Sequence, residues 1–166
     1  MAEDRPYTAL ERKRLARQQR SPEFRAWLDR EETDLARLLA EVPGLADLAD
    51  PWTLDGLALI EDTTLARLDI EGEPTADDVE LFSLFARGVG YTYLRVLGAG
   101  SWVWAATVPS ADPGPVLQLP ECTEWVSPEE SLAAALHYRT RGSLAEQVAG
   151  IQSFQDWARR HPATTA

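Results

Sequence analysis

The chain has 166 residues, one cysteine and a formal net charge of −11. It is long enough for one domain with its own core, and it has no second thiol for an intrachain disulfide. The acidic balance argues against DNA, RNA and anionic membranes as partners, since binding to those surfaces draws on neutralised phosphates.

No segment approaches about eighteen consecutive apolar residues, and the opening "MAEDRPYTALERKRLARQQR" is charged throughout, without an apolar run of signal-peptide kind. A reducing cytoplasmic setting is the expectation. Residues 1–20 carry six basic and three acidic side chains, a local charge of +3 that leaves −14 on the rest. Between Glu41 and Glu80 twelve carboxylates face a single basic residue, Arg67. That stretch predicts an acidic surface, suited to a basic protein partner or serving only solubility.

Residues 1–20 form a charged arm or a frayed helix, because Leu10 and Leu15 offer little apolar surface. Residues 21–160 form the folded domain and residues 161–166 a polar tail. At "SPEF", Ser21 caps and Pro22 occupies the first helical position. Phe24, Trp27, Leu28, Leu35, Leu38, Leu39 and Val42 then recur at helical spacing, which predicts one amphipathic helix from Pro22 to Glu41, ended by Pro43 and Gly44.

Thr53 caps a second helix carrying Leu54, Leu57, Ile60, Leu65 and Leu68, and "DIEGEPTADD" is a polar loop. Thr75, with Asp77 and Asp78 in the first turn, opens the longest apolar pattern of the chain: Phe82, Phe85, Val89, Tyr93, Val96 and Leu97 on one face, widened by Leu81 and Leu84. A helix apolar over so much of its circumference belongs at the centre of a fold. Gly88 and Gly90 within it mark close approach of neighbours or tolerated weak points.

"GAG" at residues 98–100 raises the question of a phosphate-holding turn. A dinucleotide fingerprint runs strand, glycine turn, helix, whereas here a helix precedes and a strand, "SWVWAAT", follows. Gly98 or Gly100 is therefore a helix-closing corner. "PSADPG" is a turn, "PVLQL" a second strand pairing back on the first, and "ECTEWV" a candidate third. Ser127, Pro128 and Glu130 open a helix to Tyr138; Gly142 ends it, and Ser143 opens the last helix with the stripe Leu144, Val148, Ile151, Phe154 and Trp157. The expected architecture is α+β: a mainly helical single domain with a small antiparallel sheet of two or three strands on a central helix.

The run "YTYLRVLGAGSWVW", followed by "PVLQL", "VSPEESL" and "GSLAEQV", resembles a broad group of small bacterial α+β domains, some of them presumed immunity proteins beside polymorphic toxins. The resemblance spans Thr53 to Trp157 and rests on structural residues. It implies this fold and a toxin-neutralising role, and it brings no catalytic set. Where the group often reads tyrosine, leucine, glycine and glutamate, this chain has Tyr93, Leu94, Arg95 and Val96.

Chemistry is sparsely signalled. Cys122, His137 and His161 have no ligand-spaced partners, so neither a metal nor a cofactor is expected. Glu121 and Glu124 beside Cys122 disfavour the thiolate that a Cys–His dyad would need. Adjacent carboxylates such as Asp77 and Asp78 point about 100° apart on a helix and do not converge on one substrate.

The leading expectation is a non-enzymatic interaction module for a basic protein, with Trp52, Asp55, Glu61, Asp62, Asp77, Asp78 and Trp125 as interface candidates. The alternative is a ligand-binding accessory protein or enzyme with a pocket between the hairpin and the central helix, at Tyr91, Tyr93, Arg95 and Trp104. A homodimer joining the basic arm and Trp27 to the acidic middle of a second copy is weighed equally against pairing of those charges within one chain.

Overall fold

The computed structural model describes residues 8–68, 72–107, 112–122 and 124–161. It is a mainly helical α+β single domain: seven α-helices and a two-stranded antiparallel sheet. Residues 1–7 of the expected arm, residues 109–111 of the expected turn and residues 162–166 of the expected tail lie outside the described residues, as do residues 69–71 of the polar loop.

The first helix, α1 (Ala9–Gln18), starts in a full capping box: the Thr8 hydroxyl accepts from Glu11 N and Thr8 N donates to the Glu11 carboxylate. Its docking is specific. The Gln19 amide donates to Trp104 O at 2.8 Å and accepts from Trp104 N at 2.9 Å, as a neighbouring strand would. A residue just past α1 thus satisfies the open edge of the sheet, and residues 9–18 of the expected arm form a helix tied to it at that point.

The single helix expected over Pro22–Glu41 is instead two, α2 (Pro22–Asp29) and α3 (Glu31–Glu41), with Arg30 between them. The cause is tertiary. Trp27 O, which an unbroken helix would pair with the amide of Glu31, accepts from Arg87 Nη2 at 2.7 Å. After a left-handed Gly44 and a 3-10 turn (Leu45–Asp47) comes α4 (Leu54–Arg67). The bend leading into α4 is tight, since a Cβ on Gly56 would fall 1.8 Å from Pro51 O.

The central helix is α5 (Ala76–Leu97), capped by the Thr75 and Asp78 box and closed by Gly98 at φ 74°. It touches α3, α4, α6, α7 and both strands. Leu84, Phe85, Val89 and Tyr93 are buried with Leu38 of α3, Leu57 and Ile60 of α4, and Leu132 and Leu144 from the last two helices. Gly88 and Gly90 mark close approach: a Cβ would fall 2.3 Å from Leu38 Cδ2 at the first and 2.1 Å from Trp102 Cη2 at the second.

The strands are β1 (Ser101–Ala105) and β2 (Gly114–Gln118), with Val103 opposite Val116. Among the described residues of "ECTEWV", which leave out residue 123, the expected third strand is represented by one bridge, Leu117 with Val126. Glu121, at φ 61°, turns the chain and Pro128 already begins α6 (Pro128–Tyr138), so little length is left for pairing. Arg139 in left-handed geometry and Gly142 then lead into α7 (Ser143–Arg160).

Candidate functional site

A concavity of about 660 Å³ lies between residues 50–55 and the last turns of α5. Asp50 builds one wall. Its Oδ1 accepts from Trp52 N at 3.0 Å, its carbonyl accepts from the Thr53 hydroxyl at 3.3 Å, and its Oδ2 meets Arg95 Nη2 at 3.1 Å. The Trp52 amide, with help from Arg95, holds the Asp50 carboxyl below the usual aspartate range.

Trp52 is half-buried and stands edge-on to Tyr91 with ring centroids 5.0 Å apart, an arrangement that fixes the indole. Asp55, exposed in the first turn of α4, completes the rim and has no ion-pair partner among the described residues. Leu94, Val96 and Gly98 form the opposite wall at the C-terminal end of α5, where the helix dipole favours a cation.

The two sets of candidate residues are therefore redistributed. Trp52 and Asp55 from the interface set meet Tyr91 and Arg95 from the pocket set. Tyr93 and Trp104 are elsewhere. Tyr93 is fully buried, and its hydroxyl donates to Gln147 Oε1 at 2.8 Å; burial pushes its phenol pKa up. Trp104 faces away toward Phe24 and Trp27, at 5.5 and 6.5 Å between centroids. A pocket uniting Tyr91, Tyr93, Arg95 and Trp104 does not form.

Glu61 does not present its charge to a partner. It is 2% exposed, and its carboxylate accepts from Gly142 N, from the Ser143 hydroxyl at 2.7 Å and from Leu144 N at 3.1 Å. It caps α7 from α4, where Gly142 has no side chain to do so. Asp62 pairs with Arg141 at 3.1 Å. The Asp78 carboxyl, lowered by its bonds from the Thr75 hydroxyl and amide, is held in its capping box, while Asp77 is exposed. Trp125 lines a separate groove of about 480 Å³ with residues of α6 and α7.

Part of the acid in Glu41–Glu80 is paired within the chain: Glu41 with Arg67 and Arg37, Glu80 with Arg37, and Asp50 with Arg95. Asp47, Asp55, Glu73 and Asp77 remain without an ion-pair partner among the described residues.

The thiol of Cys122, half-buried, is pushed up by burial and by Glu121, and it lines a groove to which neither histidine contributes. His161 stacks on Trp157, and His137 lies against Tyr138. Among the described residues no group of three or more His, Cys, Asp or Glu side chains could hold a metal ion, and no helix is long and apolar enough to cross a membrane.

Sequence reasoning missed a buried ionic knot. Arg87, 2% exposed, sets its Nε 3.0 Å from Asp34 Oδ2, bonds Trp27 O, and lies with Cζ 3.6 Å from the centroid of the Trp27 ring. Trp27 in turn meets Trp102 edge-on at 4.7 Å. Burial lowers the Arg87 pKa and Asp34 opposes that shift. The available signal was an arginine within the apolar run "LFARGV", which called for an acidic partner on another helix. Comparison with known proteins adds no relative: no family model, curated protein or solved structure matches this chain.

Proposed function

We propose that the protein is a non-enzymatic interaction module that receives a basic side chain of a protein partner in the Trp52 cleft. Masking a toxin, as immunity proteins do, is the most concrete form of this role. The carrying observation is the cleft itself: an indole propped by Tyr91, an unpaired Asp55 on the rim and the negative end of α5 opposite. A guanidinium or ammonium group placed there gains a cation–π contact and a carboxylate, and the acidic excess around it speeds encounter.

The same lining argues against nucleophilic catalysis. Asp50 is committed to Trp52 N and Arg95, and the Thr53 hydroxyl to Asp50 O. The cleft residues include no histidine, cysteine or serine that could form a nucleophile–base pair.

The test is affinity capture from the native host at low and moderate salt, with the wild-type chain, Trp52→Ala, Asp55→Lys and a control, Glu32→Lys, on the exposed side of α3. A protein retained by wild type and control, and lost by both cleft variants, supports the proposal. Recovery of no partner, or retention by both cleft variants, overturns it.

A further inference from the structure

The outer face of α1 is a single leucine among cations. Leu10 is the most exposed of the large apolar residues at 77%, and Lys13, Arg14 and Arg17, three, four and seven residues on, share its face and are exposed. One flank of the helix, about 100° round from Leu10, faces the protein's own fold, with Glu11, Leu15 and Gln18 half-buried and Gln19 tied to β1. No partner for this leucine stands among the described residues.

A second surface has the reverse composition. Between the start of α5, α6 and the end of α4 lies a groove of about 310 Å³ floored by Leu68, Pro74, Val79, Phe82 and Leu136. Val79 is 53% exposed. Asp78 lies in the lining, and Glu73 and Asp77, exposed and without ion-pair partners among the described residues, stand beside it in the chain. At the Leu68 edge Arg139 donates to Leu65 O and Leu68 O.

We propose that these two surfaces meet between copies: Leu10 of one protomer enters the apolar groove of another, with Lys13, Arg14 and Arg17 over Glu73, Asp77 and Asp78. Apolar contact supplies the anchor, and the charges supply register and encounter. Each copy carries both surfaces, so a reciprocal pairing of two copies offers each leucine a groove. This surface is separate from the Trp52 cleft and stands or falls independently of it. It also replaces Trp27, which is engaged with Arg87 and Trp102, as the apolar anchor of a dimer.

The test is sedimentation equilibrium of the full chain across a wide concentration range, at low and high salt. The expected result is a monomer–dimer equilibrium weakened by salt. Leu10→Asp and Val79→Asp, both at exposed positions, should each weaken it by about tenfold or more, the scale of one lost apolar anchor. Asp77→Lys should weaken it as well, and combining Asp77→Lys with Lys13→Glu should restore part of the loss. A monomer at every concentration, or a dimer indifferent to both Leu10→Asp and Val79→Asp, overturns the proposal.

Discussion

Arg87 carries a full charge into the middle of the most buried helix, and three contacts make that tolerable: Asp34 at 3.0 Å, Trp27 O at 2.7 Å and the face of the Trp27 ring. Its Nη1 and the neighbouring Trp102 Nε1 are buried donors without a partner among the described residues, so the knot is not fully satisfied by them. Replacing both members of such a pair with apolar groups often costs little, whereas removing one strands the other. Arg87→Met should therefore lower unfolding stability by about 3 kcal/mol, the lower end for a broken buried pair, because Asp34 keeps Arg30 as a second partner. Adding Asp34→Leu to Arg87→Met should recover part of that loss. Urea unfolding measures both. A single-variant cost under about 1 kcal/mol, within the range of exposed pairs, would show that the knot fills space without holding α2 and α3 to α5.

Between elements, the most consequential contact joins residues more than eighty positions apart: Glu61 of α4 provides the cap that α7 lacks. A glutamine there keeps the shape and one acceptor oxygen but removes the charge and sets an NH2 against a backbone or hydroxyl donor, so Glu61→Gln should cost about 2 kcal/mol, in the range for a buried charged acceptor. Hydrogen exchange of the amides at 142–146 should accelerate more than that of the α5 core. Equal acceleration everywhere would mean that α7 opens only with the whole domain.

The contrast with other helix starts explains what was legible in the sequence. Ser21, Thr75 and Ser127 each cap a helix from three residues away, and all three were readable because the bond is local. Glu61 read as surface acid because its partners are distant in the chain, and the break at Arg30 was hidden because Arg87 makes it. The Trp52 cleft was half legible for the same reason. Trp52 and Asp55 stood out by type and position, but only the packing of α5 on α4 shows that Tyr91 and Arg95 join them while Tyr93 and Trp104 do not.

At the scale of the whole molecule, a net charge of −11 sets two electrostatic effects against each other, and their lengths decide the outcome. The attractive pairs are short: Arg67 with Glu41 at 2.7 Å, Arg95 with Asp50 and Arg141 with Asp62 at 3.1 Å. Repulsion among the surplus carboxylates, Asp47, Asp55, Glu73 and Asp77 among them, acts over longer distances and is strongest in the compact state. The screening length falls from about 30 Å at 0.01 M salt to about 10 Å at 0.1 M, which removes long-range repulsion while sparing contacts of a few ångströms. Raising salt over that range should therefore raise the melting temperature, by about 2–4 °C if the relief is about 1 kcal/mol in a domain of this size. The measurement is thermal unfolding followed by circular dichroism, at low micromolar protein so that self-association does not contribute. Neutralising Asp47, Asp55 and Asp77 together as asparagines should flatten the response, since it removes repulsion and leaves every one of those ion pairs intact. A melting temperature that fell with salt would reverse the ranking, making the arginine pairs, with the Arg37 link between Glu41 and Glu80, the dominant electrostatic contribution to the fold.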